Sequence, residues 1–130
     1  MTVFADTSYF IARVMTRDQW SVLAREASTR GERLVTSAPV ISETVSLLQR
    51  RGYTSGALQF LDEVRNDPDL TIVYLDAPLQ SEAWDLFHRY AGSGANATDC
   101  ASFAIMRRFS IKTAYTFDQH FRHAGFAILP

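Results

Sequence analysis

The chain has 130 residues, 47% hydrophobic and 12% aromatic, enough apolar side chain for one ordinary domain to bury a core unaided. Its 13 Lys and Arg stand against 14 Asp and Glu, a formal charge of -1, which excludes the strongly basic balance usual in a polyanion-coating protein. A single cysteine, Cys100, excludes an internal disulfide and a cysteine-rich zinc site, and fits a reducing compartment such as the cytoplasm.

In chain order, a first strand is predicted at 2–5, followed by Asp6 and an amphipathic stretch at 7–14. This N-terminal segment lacks a basic leader, and no apolar run approaches membrane-spanning length, so neither secretion nor membrane insertion is expected. A second strand at 33–36 leads into the best-marked helix. Ser37 is its N-cap, Pro39 sits in its first turn and Gly52 lies just past its end. Ile41, Thr44, Val45 and Leu48 form its core-facing stripe, and 53–65 reads as a second helix doubling back. The third strand, 71–75, has no polar alternation, which suits a parallel sheet covered on both faces. A helix at 78–90 follows, then a flexible loop from Gly92 to Asn96 and a helix running from Asp99 to Phe109. Strands at 112–117 and 126–129 close the chain, with a short helix at 119–123 between them. The alternation predicts a single α/β domain over 1–130, a three-layer α/β/α sandwich with a central, mainly parallel sheet of about five strands.

Asp6 and Asp118 each leave a strand at its C-terminal end, the edge of an open parallel sheet where ligand sites gather. Asp99 lies in the first turn of its helix, where the helix dipole favours an anion, and Glu43 one turn into its own. Taken singly, each has an ordinary explanation: aspartate caps helices, and Glu43 lies nearly opposite the apolar stripe, although beside Val40 and Leu47. Asp76 occupies the same kind of position as Asp6 and is assigned only the role of capping the helix after it. Taken together, four converging acids would repel one another unless cations neutralise them. A donor set of carboxylates, with no His or Cys expected nearby, suits a hard ion such as Mg²⁺ or Mn²⁺, and that pairing implies phosphodiester hydrolysis by a metal-activated water. Thr7, Ser8 and Thr116 are candidate supporting hydroxyls for waters or ligands, against the commoner role of such groups in bonding local backbone. With the four acids set aside, 13 basic residues face 10 acidic ones, a body compatible with phosphate binding.

Other constellations carry less. His88, His120 and His123 are too scattered for a zinc motif, and His120 with His123 reads as a surface pair. The Gly92/Gly94 loop lacks the ending of a phosphate-cradling loop, Cys100 reads as a buried structural thiol, and Phe103, Phe109, Phe117, Phe121 and Phe126 read as core.

The segments Phe4-Ala5-Asp6-Thr7-Ser8, Ile41-Ser42-Glu43-Thr44-Val45, Thr98-Asp99-Cys100-Ala101-Ser102-Phe103-Ala104 and Thr116-Phe117-Asp118-Gln119-His120-Phe121 together resemble, in their order, the PIN-domain family, particularly its VapC-like toxins. The resemblance covers essentially the whole chain. It implies an α/β/α sandwich whose acidic pocket binds Mg²⁺ or Mn²⁺ and cuts RNA, with Asp6 and Asp99 as direct ligands and Glu43 and Asp118 completing the pocket. It also implies a homodimer, and a small antitoxin embracing the helical hairpin at 39–65. Two other readings compete. An Asp-dependent phosphatase or phospho-receiver fits poorly, because the segment after Asp6 lacks a second Asp two residues on and Lys112 precedes its strand's core. A non-catalytic RNA- or protein-binding module would keep the fold without the chemistry.

Overall fold

A computed structural model describes residues 1–28 and 30–130. Five strands, β1 (Thr2–Ala5), β2 (Arg33–Ser37), β3 (Leu70–Val73), β4 (Thr113–Tyr115) and β5 (Ala127–Leu129), form one wholly parallel sheet in the order β3-β2-β1-β4-β5. The middle strand is the most apolar for a physical reason: Val3, Phe4 and Ala5 are fully buried, as expected of a strand with neighbours on both edges and helices on both faces.

Helices α1 (Thr7–Val14) and α2 (Ser21–Ser28) connect β1 to β2, and α3 (Ala38–Arg50) and α4 (Thr54–Asn66) connect β2 to β3. Helices α5 (Ala77–Tyr90) and α6 (Ala97–Arg108) then carry the chain back to β4, and the short α7 (His120–His123) leads to β5. Because parallel crossovers are right-handed, reversing the direction of travel between β3 and β4 sends α5 and α6 to the face opposite α1 to α4. The two packed layers have separate aromatic cores, Tyr9 stacked on Tyr115 on one face and Phe103 edge-on to Phe121 on the other. The reversal also creates a switch point between the C-terminal ends of β1 and β4, the place where parallel sheets open a crevice.

The predicted elements recur, with β1 as expected, β2 one residue longer, β3, β4 and β5 shorter, and one α-helix added. The third strand was expected to reach residue 75, yet it stops at Val73, since its sole neighbour β2 ends at Ser37 and leaves Tyr74 nothing to pair with; Tyr74 is 74% exposed. Helix α2 is an addition. The α3 boundaries match: the Ser37 side chain accepts a hydrogen bond from the Val40 amide at 3.1 Å, and Gly52 takes a positive φ of 82° just past Arg51. Phe103 and Phe121 are buried as expected, but Phe109 is 54% exposed, because it lies beyond the last turn of α6. No helix among the described residues is long and apolar enough to cross a membrane.

Ser37 is fully buried and holds the first turn of the helix that carries Glu43. Ser37→Ala is therefore expected to lower the unfolding free energy by about 1 kcal/mol in urea titrations; an unchanged midpoint would show that the cap contributes nothing.

Candidate metal-binding active site

All four predicted acids line one cleft of about 480 Å³ at the switch point, together with Thr7 and Ser8. Each arrives on a different element. Asp6 ends β1, Glu43 lies on α3, Asp99 opens α6 and Asp118 follows β4.

Asp6 stands at the N-cap position of α1 with extended backbone, but its side chain makes no cap bond. Instead, one oxygen, Oδ2, accepts from Thr116 Oγ1 at 2.8 Å and from Ser8 Oγ at 3.1 Å. Each hydroxyl accepts in turn from a backbone amide, Thr116 from Asp118 at 3.0 Å and Ser8 from Phe117 at 2.9 Å. The two hydroxyls thus tie the β1–α1 turn to the chain leaving β4, and fix the Asp6 carboxylate while doing so. Thr7 is also buried, and its hydroxyl has no hydrogen-bond partner among the described residues. A buried, unpartnered oxygen lining an acidic cleft is chemically suited to a water or an ion-bound ligand.

Asp99 serves two purposes. It is the N3 residue of a capping box, where Asp99 Oδ2 accepts from the Asn96 amide at 2.9 Å and Asn96 Oδ1 accepts from the Asp99 amide at 2.8 Å. The box occupies one carboxylate oxygen and directs the buried group into the cleft. Asp118 does not cap α7, whose N-cap is Gln119; its Oδ1 accepts from the His120 amide at 2.9 Å and lies 2.6 Å from His120 Nδ1.

His120 departs from the surface pair expected of it. Its Nε2 faces the Ser93 carbonyl at 3.1 Å, and the ring packs so closely on the loop before α6 that a Cβ on Gly94 would come within 3.0 Å. Gly94 already has a positive φ of 100°, so glycine is required there twice over. Both ring nitrogens thus lie close to oxygen atoms, Nδ1 to the Asp118 carboxylate and Nε2 to the Ser93 carbonyl. Asp99, Asp118 and His120 each offer a ligand atom within 4.8 Å of the others, so a nitrogen donor does stand among the carboxylates; Asp6 and Glu43 share the cleft but lie outside this closest group. Oxygen donors with one imidazole at the margin fit Mn²⁺ as well as Mg²⁺. Only His123 keeps the expected surface position, edge-on to Tyr90.

Sequence reasoning missed several lining residues: Asp18, Trp20, Arg51, Asn96 and Phe117. Phe117 was expected in the core, but it stacks on Trp20 at the side of the cleft. The only available signal was position, since Phe117 lies beside Asp118 and Asn96 three residues before Asp99.

The crowding shows in the acid strengths. Burial, opposed by the Thr116 hydroxyl and reinforced by the charge on Asp99, pushes the Asp6 carboxyl up to about 7. Asp99 is pushed up to about 6, again chiefly by burial, with the Asn96 amide opposing and Asp118 and Glu43 adding repulsion.

A model of the PIN domain matches residues 3–127. The chain belongs to the PIN-domain family. Over 125 residues, 95% of each chain, it is 30% identical to the 23S rRNA-specific endonuclease VapC20 of Mycobacterium tuberculosis. The crystal structure of that protein, a Sarcin-Ricin loop cleaving toxin, matches with a TM-score of 0.92 at 29% identity, covering 98% of this chain and 99% of the other. FitAcB from Neisseria gonorrhoeae matches at a TM-score of 0.70 and 18% identity, covering 100% of this chain and 97% of that one. VapBC2 from Rickettsia felis, bound to a promoter DNA fragment, matches at 0.70 and 13%, covering 98% and 97%. Those two likenesses show a shared fold alone. The α/β sandwich read from the sequence is the fold of this family.

A carboxyl raised from 3.8 by folding contributes stability that is fully present below about pH 4 and is lost as pH rises through the folded value. In EDTA, wild type is therefore expected to lose stability between about pH 4 and about pH 7 relative to Asp6→Asn, by up to a few kcal/mol. Thermal melts of both proteins across that range measure the difference, and parallel curves would contradict it.

Proposed function

We infer that this chain is a metal-dependent endoribonuclease, the toxin of a toxin–antitoxin pair, with 1–130 acting as one nuclease domain. The observation that carries the reading is the convergence of four carboxylates from four elements on one cleft at the switch point of a PIN fold. Asp6 and Asp99 serve as direct ligands of Mg²⁺ or Mn²⁺, and Glu43 and Asp118 complete the pocket as further ligands or holders of water. The bound ion supplies an acidified water and neutralises charge on the scissile phosphate. The chain's own groups do the rest. The Ser8 and Thr116 hydroxyls fix Asp6, the Asn96 box fixes Asp99, and the contact with His120 fixes Asp118. A carboxylate left free of the metal accepts the proton of the attacking water, and the buried Thr7 hydroxyl orients a water or phosphate oxygen.

The substrate is RNA, and likeness to VapC20 favours a structured ribosomal RNA target. The antitoxin docks on the 39–65 hairpin, where a groove lined by Phe10, Val14, Tyr53 and Phe60 runs between α1 and α4. The exposed Trp84 and Phe87, one turn apart on α5, supply apolar surface for a homodimer. The expected setting is the cytoplasm, where RNA and antitoxin are met.

Purified protein is expected to cut a mixed RNA pool with Mn²⁺ or Mg²⁺ and to stop in EDTA. Asp6→Asn and Asp99→Asn are each expected to lose at least about 100-fold, since even groups one step from a metal typically cost roughly 10–100-fold. Cleavage equal in wild type and variants would refute the carboxylate assignment. A folded wild type inert with both ions, and free of any co-purified inhibitor, would favour a non-catalytic binding module.

A further inference from the structure

Beside the four acids, one wall of the cleft is aromatic. Trp20, in the turn before α2, lies almost parallel to Phe117, with ring centroids 5.0 Å apart and planes 7° from coplanar. Both rings line the cleft, and Trp20 remains 40% exposed although Phe117 covers one face of its indole. The stack is anchored to the site. The Trp20 amide donates to Asp18 Oδ1 at 2.8 Å, and the Phe117 amide donates to Ser8 Oγ, the hydroxyl that also holds Asp6. Among the described residues, Arg51 is the one Lys or Arg that lines the same cleft.

A partly exposed indole stacked on a second ring beside a phosphodiester-cutting centre matches the way proteins hold single-stranded RNA, by stacking an unpaired base on an aromatic ring while cations meet the backbone. We propose that the Trp20–Phe117 stack is a platform for an unpaired base of the RNA substrate next to the scissile phosphate, with Arg51 taking a flanking phosphate. The proposal rests on the ribonuclease reading and deepens it. A base within a duplex is already stacked on both faces, so the platform selects loops, ends or extruded bases. The two rings thereby impose a structural preference on the substrate that the carboxylates, which see only phosphate and metal, do not.

Two measurements test it. In steady-state cleavage of a hairpin RNA, Trp20→Phe is expected to stay near wild type, whereas Trp20→Ala and Trp20→Leu raise KM by roughly 5- to 100-fold with kcat little changed. Leucine preserves apolar bulk without a stacking plane, so a merely structural role would spare Trp20→Leu. In a Trp84→Phe background Trp20 is the sole tryptophan, and its fluorescence in EDTA is expected to quench with a short single-stranded RNA and not with the same sequence fully paired. If wild type cuts RNA and Trp20→Ala keeps its KM, the platform is overturned while the nuclease reading stands; this is also the result expected if Trp20 serves a protein partner. Equal behaviour of Trp20→Leu and Trp20→Phe, or equal quenching by paired RNA, also overturns it. If wild type proves inert with both ions the nuclease reading fails, and the fluorescence titration still decides whether the stack takes a base.

Discussion

Four carboxylates facing one cleft repel each other and resist desolvation, and the architecture around them is arranged to tolerate that. Two of the four, Asp6 and Asp99, are themselves buried. Neutral donors offset part of the cost: hydroxyls for Asp6 and a backbone amide for Asp99. Asp118 meets the His120 ring. These contacts do not remove the strain, because Asp6 and Asp99 still bind protons at about 7 and about 6. Carboxylates so placed could hold a metal ion, whose charge would offset the remaining repulsion.

The sheet order is what brings the acids together. Placing β1 between β2 and β4 sets the ends of β1 and β4 side by side, so residues more than a hundred positions apart share a hydrogen bond between Thr116 and Asp6. The α3 and α6 helices begin near that edge and pack on each other, which adds Glu43 and Asp99 from opposite layers. The family's nuclease chemistry thus follows from a topological feature, with loops adding the specific walls. Here those walls include the aromatic pair, Trp20 and Phe117, and Asn96 of the loop before α6.

Much of this was legible in the sequence. Apolar runs marked all five strands, and Ser37, Pro39 and Gly52 bounded α3, because burial and capping leave local signatures. The four acids were recognisable as a set and by family resemblance, though not individually. Asp76 shows why: like Asp6 it precedes a helix, but its side chain caps Leu79, pairs with Arg108 at 3.2 Å and is 65% exposed. Asp99 defeats the distinction altogether, since one carboxylate both caps a helix and lines the cleft. His120 and the Trp20–Phe117 stack were not legible. Their roles depend on where loops from distant parts of the chain meet, and periodicity cannot separate a wall aromatic from a core one.

A cation that enters the carboxylate cleft must displace the protons held there. Calorimetric titration of Mn²⁺ into metal-free protein near pH 6.5, repeated in buffers of different ionisation enthalpy, reads the protons displaced. With Asp6 titrating at about 7 and Asp99 at about 6, the account predicts saturable binding with about one proton released per ion, reduced in Asp6→Asn. Binding without proton release, or no saturable binding by the folded protein, would contradict it.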